Sequence, residues 1–446
     1  MEEKRVGQEG RSEASAVAGG FETRTHGRGV TYCYTTDRFK TISLHAVWVN
    51  PLTAAEASLG ALVPAVLKRA TQRWPSTTRL HQRLEELYGA HFRADVGKVA
   101  DRQLISFHLE LVDGRFLPGK PNTLAFGLDF LTEVLRRPLV TSAGHFDPTL
   151  VEQEKTLLLR RMEAVINDKG QYAALRLLES VAGGRPFGLR KWGQPEEVSA
   201  VGPEALYSYY LTLRATRPLL VLAVGAVDPD EVAAAARELI SDQGDAPELA
   251  ALRPYEPLHR DAEVVERQPV SQGKLQQAYA TGMTAAHPDY PAMMMYAGVL
   301  GGFPHSKLFV NVREKASLAY YAYARLDGAL GLMMVGAGIE SAHYARARQI
   351  IEAQVRSMAE GQISEAELQF TREAYRNEIE AEQDSPDLII GRKLETVLVG
   401  GGLSGVDLIS VLERVQRTDI ERVAGQVLLD TTYFLTGEEK GEGQST

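Results

Sequence analysis

Apolar residues alternate along Thr41–Asn50, where Ile42, Leu44, Ala46 and Trp48 fall two apart, the period of a strand with one well-buried face. Over Glu56–Ala70 the spacing lengthens to three and four. Ala57, Gly60, Ala61, Pro64, Ala65 and Lys68 predict a tightly packed helix, kinked where Pro64 removes a backbone donor. A second helix is expected over Ser76–Tyr88, opening after Pro75 and closing at Gly89. Ala90–Val96 and Arg102–Leu111 read as paired strands around Gly97–Asp101. The longest helical pattern is Phe146–Leu178, its apolar stripe marked by Val151, Leu158, Met162, Val165 and Tyr172. Pro218–Val227 is a buried strand, and Asp228-Pro229-Asp230 opens a helix over Glu231–Ile240. Further on, Tyr290–Leu300 is a helix stopped at Gly301-Gly302. Ser364 and Glu367 form a capping box, with Ile363 and Leu368 placed as its hydrophobic staple.

The order of elements repeats. Trp74-Pro75-Ser76 and Phe303-Pro304-His305 stand 229 positions apart (74 to 303), and the same offset carries Arg102–Leu111 onto Gly331–Glu340. Thr41–Asn50 lands within a few residues of Lys274–Met283. The fold class expected is α+β, two homologous halves forming a clamshell around a chamber, each a mixed sheet with helices packed on it. Residues 21–240 make the first half and 263–436 the second. Between them 241–262, with three prolines and little periodicity, reads as a linker, and 1–20 and 437–446 as disordered tails.

Composition adds limits rather than chemistry. At 446 residues the chain has room for two to four domains, and 24% charged against 44% hydrophobic residues excludes wholesale disorder. A net charge of −9 without basic runs argues against nucleic acid as a partner. The single cysteine, Cys33, excludes an internal disulfide and a thiolate-rich zinc site, and in its strand-like setting reads as a packing residue. The longest apolar runs, Pro218–Val227 and Gly328–Ile339, are far shorter than the roughly 20 residues that cross a bilayer. Met1–Gly20 lacks the apolar core of a signal peptide, so a cytoplasmic protein with no membrane partner is expected.

A scan for catalytic motifs is negative: G-x-S-x-G, G-x-x-x-x-G-K-[ST] and H-E-x-x-H do not occur. His81 and Glu85 lie one helical turn apart, a spacing that starts a metal site but more often makes an exposed pair. His108 and Glu110 share a strand face with Ser106, opposite Phe107 and Leu109, as the polar outer face of a half-buried strand would.

Residues 300–323, LGGFPHSKLFVNVREKASLAYYAY, are more specific. With Gly301-Gly302 ahead of Arg313-Glu314-Lys315 and Leu318-Ala319-Tyr320, the chain resembles the insulinase/pitrilysin family, the inverted-zincin metallopeptidases that include the mitochondrial processing peptidase. The resemblance runs from about Phe21 to Leu435. It implies that Arg313 and Tyr320 contact substrate backbone near the scissile bond, as donors able to hold a carbonyl or a developing oxyanion. The structural alternative makes Arg313 a helix-surface ion-pair partner and Tyr320 a core strand residue.

The first half departs from the family. Its zinc site is H-x-x-E-H on the first helix, completed by a glutamate on the long later helix. Counting back from Trp74-Pro75 puts Ala61, Pro64 and Ala65 at those places, or Leu62, Ala65 and Val66 one residue along. On the long helix Glu154 matches the family's first acid, but Arg161 stands at the ligand. A guanidinium has no lone pair to give. No metal or other cofactor is therefore expected, and no catalytic residue of the chain's own. Two functions follow from the resemblance. One is a non-catalytic, substrate-binding subunit that pairs with a zinc-bearing homologue as a heterodimer, or self-associates as a homodimer, around a peptide or unstructured segment. The other is a non-proteolytic maturation factor, similar to bacterial members associated with 5-aminopentanol modification of elongation factor P. A third, an unseen metal site built on His81, would make the chain an enzyme.

Overall fold

The computed structural model describes residues 20–437 apart from 28, 241–248 and 259, so the expected tails (but for Gly20 and Gly437) and the start of the linker lie outside the described residues. The first sheet holds β1 (Glu22–His26), β2 (Gly29–Thr35), β3 (Thr41–Pro51), β4 (His91–Val99), β5 (Arg102–Val112) and β6 (Leu219–Gly225), in the order β1-β2-β6-β3-β5-β4. The second holds β7 (Ala262–Arg267), β8 (Gly273–Ala280), β9 (Ala319–Asp327), β10 (Leu332–Ile339) and β11 (Leu428–Thr436), in the order β7-β11-β8-β10-β9. With β1 set aside, the two orders match strand for strand. Each begins with a parallel pair, β2/β6 or β7/β11, and continues through three antiparallel pairings. The architecture is two homologous α+β halves, and the 229-residue offset carries β5 onto β10. Among the described residues no helix is long and apolar enough to cross a membrane.

The helices of the first half include α1 (Ala54–Leu67), α2 (Thr77–Glu86), α3 (Thr123–Arg136), α4 (Pro148–Asn167) and α5 (Lys169–Ala182). Small residues let α1 lie close on β5: a Cβ on Gly60 would fall 2.0 Å from Gln103 Oε1. Gln103 is fully buried there, donating to Ala57 O and Lys191 O at 2.8 and 2.7 Å. Ser76 caps α2 by accepting from Arg79 N. In the second half the Ser364–Glu367 capping box forms in both directions. The helix at Tyr290 keeps α geometry to Ala297 and winds as a π-helix through Gly298–Gly302.

Two sequence expectations need correction. The pattern Phe146–Leu178 is two helices, because Asp168 ends α4 and its carboxylate accepts from Gly170 N and Gln171 N to start α5. Strand β3 is buried on both faces. Leu44, Ala46 and Trp48 join the core under α1 and α3, while Val47 and Val49 pack against Ile389, Ile390 and Leu398 of the helix Pro386–Val399. The exchange is mutual: α5 lays Ala173, Leu177 and Val181 on Ala278, Ala280, Tyr433 and Leu435 of the second sheet. Each half thus lends one helix to the other's sheet. At that seam Glu266 accepts from Tyr172 OH and Tyr433 OH, both at 2.8 Å, and from Arg176 Nε at 3.0 Å. The later part of the linker region is anchored by buried Tyr255, whose hydroxyl lies 2.7 Å from Asp430 Oδ2.

His108 also departs from expectation. It is not on an open polar face, because the helix Pro386–Val399 covers this side of the first sheet, and its ring packs edge-on against His45 at 3.9 Å between centroids. Glu110, two residues on, is exposed.

Candidate functional site

Residues spaced by three and four on a helix share a face, and α1 turns Ala61, Pro64, Ala65 and Lys68 the same way. They meet Glu154 and Arg161 of α4, Ala94–Val96 of β4 and Trp192 around one cavity of about 20 Å³, room for about one water. The positions that the resemblance assigns to the zinc ligands therefore converge in space. Their chemistry does not suit a metal. Ala61, Pro64 and Ala65 offer only carbon, and the carboxylate of Glu154 is hemmed by cations. Arg69 Nε stands 3.4 Å from its Oε1, with Lys68 and Arg161 also close enough to act on it. Burial pushes the Glu154 carboxyl above its usual range, opposed by these three cations. Burial likewise lowers Lys68, against the pull of Glu154. A divalent cation would meet two carboxylates, Glu154 and Asp95, but no imidazole, and three cations beside Glu154, so the residues present do not fit the family's zinc.

Lys68 and Arg69 are the part of this site that motif matching passes over. Their signal was nevertheless present: Lys68 completes the i, i+3, i+4, i+7 row begun by Ala61.

Arg313 and Tyr320 lie elsewhere. The cavity is lined entirely from the first half, and neither residue borders it. Arg313 is exposed on the π-helical segment Phe309–Lys315, its guanidinium 4.5 Å from the centroid of the Phe309 ring. No carboxylate among the described residues pairs with it. Tyr320, 77% exposed, stands at the start of β9, the free edge of the second sheet, and is not a core residue. Both donors are open to a group from outside the chain.

Next to the small cavity, and sharing Trp192 with it, a second of about 310 Å³ opens at the seam of the halves. Met162, Leu178 and Trp192 from the first half and Met334 from the second give it apolar walls. Lys98, Arg190 and Lys191 are the cations in its lining. Lys98 donates to the carbonyls of Phe187 and Leu189 at 2.8 and 3.0 Å, and burial brings its ammonium down to about 8. His81 and Glu85 are both exposed and gather no third ligand among the described residues. Cys33 is buried, and burial pushes its thiol up to about 12, so it is a packing residue.

A duplicated α+β chain with a ligand-free first-helix site defines a peptidase-like scaffold without the metal centre. The family model described as the peptidase M16 inactive domain matches residues 200–375. The chain is 35% identical over 433 residues, 93% of its length and 97% of the relative's, to the probable inactive metalloprotease YmfF of Bacillus subtilis (strain 168). It belongs to the M16, or insulinase/pitrilysin, peptidase family, and lacks the side chains of that family's zinc site. A weaker similarity, 24% identity over 241 residues (53% of this chain, 59% of the relative), links it to the antilisterial bacteriocin subtilosin biosynthesis protein AlbE of the same strain. Among solved structures, a conserved protein from Enterococcus faecalis V583 superposes with a TM-score of 0.88 at 25% identity, covering 95% of this chain and all of that one.

Proposed function

We propose that this chain is the non-catalytic, substrate-binding partner of a zinc-bearing M16 homologue, and that the pair handles peptides or unstructured protein segments. The observation that carries the reading is the division within the molecule. Its own metal-site positions are carbon and cation, while Arg313 and Tyr320 are exposed without a carboxylate partner. A guanidinium and a phenol held outward can donate to a carbonyl beside a metal that another chain supplies. The free edge strand β4 supports peptide binding, since Ala94–Val96 border the small cavity and an edge strand offers unpaired backbone groups to an extended segment. The apolar 310 Å³ cavity nearby would take a side chain of that segment. The test is peptide turnover by the reconstituted pair. Arg313→Ala should lower it about 100-fold, the scale of losing one oxyanion donor. Unchanged turnover would sink the assignment.

A second reading, a peptide-binding maturation factor without proteolysis, is favoured by the similarity to a biosynthesis protein. Pull-down of elongation factor P machinery, with no zinc-bearing homologue recovered, would select it over the first.

A further inference from the structure

Across the face of the first sheet opposite α1, three side chains stand in one cross-strand row: Arg93 on β4, His108 on β5 and His45 on β3. Above them sits Asp387, in the first turn of the helix that the second half lends to this sheet. His45 Nε2 lies 3.1 Å from His108 Nδ1 and 3.0 Å from Asp387 Oδ1, and the three ligand atoms all fall within 4.8 Å of one another. Ser43 Oγ approaches the same two atoms, at 3.3 Å from His45 Nε2 and 3.2 Å from Asp387 Oδ1. His45 is 4% exposed.

A hydrogen bond from His45 Nε2 to Asp387 accounts for one of these short contacts. It leaves His108 Nδ1 3.1 Å from the same nitrogen, so that two imidazole nitrogens and a carboxylate oxygen converge on one point. The His45 ring is buried there, while the Asp387 side chain is about half exposed and gives the point an opening to solvent. A cation held by all three atoms would engage the two imidazoles and the carboxylate together. Bonds of about 2.0–2.1 Å to a tetrahedral ion set ligand atoms about 3.3–3.4 Å apart, so His108 Nδ1 and Asp387 Oδ1 would each move out from His45 Nε2 by a few tenths of an ångström to hold one.

The geometry points to a divalent transition-metal site formed by His45 Nε2, His108 Nδ1 and Asp387 Oδ1, distinct from the family's zinc position and joining the two halves. Two imidazoles and a carboxylate suit a borderline ion such as Zn²⁺. Arg93 is the opposing charge. It holds Asp387 through the other oxygen, Oδ2, at 2.7 Å, orienting the carboxylate while leaving Oδ1 toward the histidines. The Arg93 side chain is more than half exposed, so solvent screens its repulsion. Because Asp387 comes from the second half, the ion would bind only when the helix is docked, and would hold it there.

The test titrates Zn²⁺ alone into the chelator-stripped full chain against a chromophoric competitor, with the melting temperature followed in parallel. The wild type should take up one equivalent with a dissociation constant of about 1 µM or tighter and melt higher with zinc. Asp387→Asn changes an exposed carboxylate to its near-isostere, so it should fold, bind at least about 100-fold more weakly and lose the zinc-dependent rise. His108→Ala should behave alike, and His81→Ala should match the wild type. Wild-type binding weaker than that limit, or Asp387→Asn binding as tightly as wild type, would overturn the site.

Discussion

Gly60 shows how finely the first helix is fitted. A methyl group there would displace Gln103, which bridges α1 to the chain at Lys191. Overpacking a closed site of this kind costs about 1–3 kcal/mol, so Gly60→Ala should lower the unfolding free energy by that amount, read as a lower urea midpoint with an unchanged slope. An unaltered midpoint would mean that Gln103 moves aside freely. The lone thiol offers a second test at this scale. With its proton held to about pH 12, Cys33 should resist iodoacetamide at pH 8 in the native protein and react only after denaturation. Rapid native labelling would contradict the burial assigned to it. These residues also show what motifs convey. The place of Ala61, Pro64, Ala65 and Arg161 followed from counting along a family pattern, and all four border one cavity. His45 escaped notice because nothing in β3 indicates that Asp387, 342 residues away, would sit over it.

At the scale of elements, the two loaned helices decide how the halves hold together. Burial alone would raise Glu266 at this seam, but hydrogen bonds from Tyr172, Tyr433, Gln268 and Arg176 bring it down to about 2. A carboxylate lowered in the folded state adds stability above its unfolded pKa and loses it as pH falls through the folded one. The contribution, on the order of 2–3 kcal/mol, is therefore full at pH 7 and fades between about pH 5 and 2. Glu266→Gln should lower the melting temperature at pH 7 and flatten its pH dependence across that window; an identical profile would show the contact to be weak. Local pattern found most elements here, since β3, β5, β6, α1 and the Ser364 capping box each carry their own period or cap. It missed the break at Asp168, which a continuous apolar stripe conceals. It also missed the second buried face of β3, because the covering helix lies more than 330 residues further along the chain.

For the whole molecule, duplication accounts for the architecture and loss of ligands for its chemistry. Two homologous halves, each with a mixed sheet, were legible from one repeated Trp/Phe-Pro step and the elements around it; the order of strands within each sheet was not. The reciprocal exchange of helices was not, since it depends on how two halves of similar pattern meet. In this account zinc content alone decides nothing about peptidase activity, because the ion proposed between His45, His108 and Asp387 lies on the other face of the sheet. Hydrolysis does decide. The most direct measurement is cleavage of an unstructured peptide by the purified chain in excess Zn²⁺, alone and after adding a zinc-bearing M16 homologue. The account predicts no turnover by the chain alone and activity in the mixture above that of the homologue by itself. Chelator-sensitive cleavage by this chain alone would contradict it.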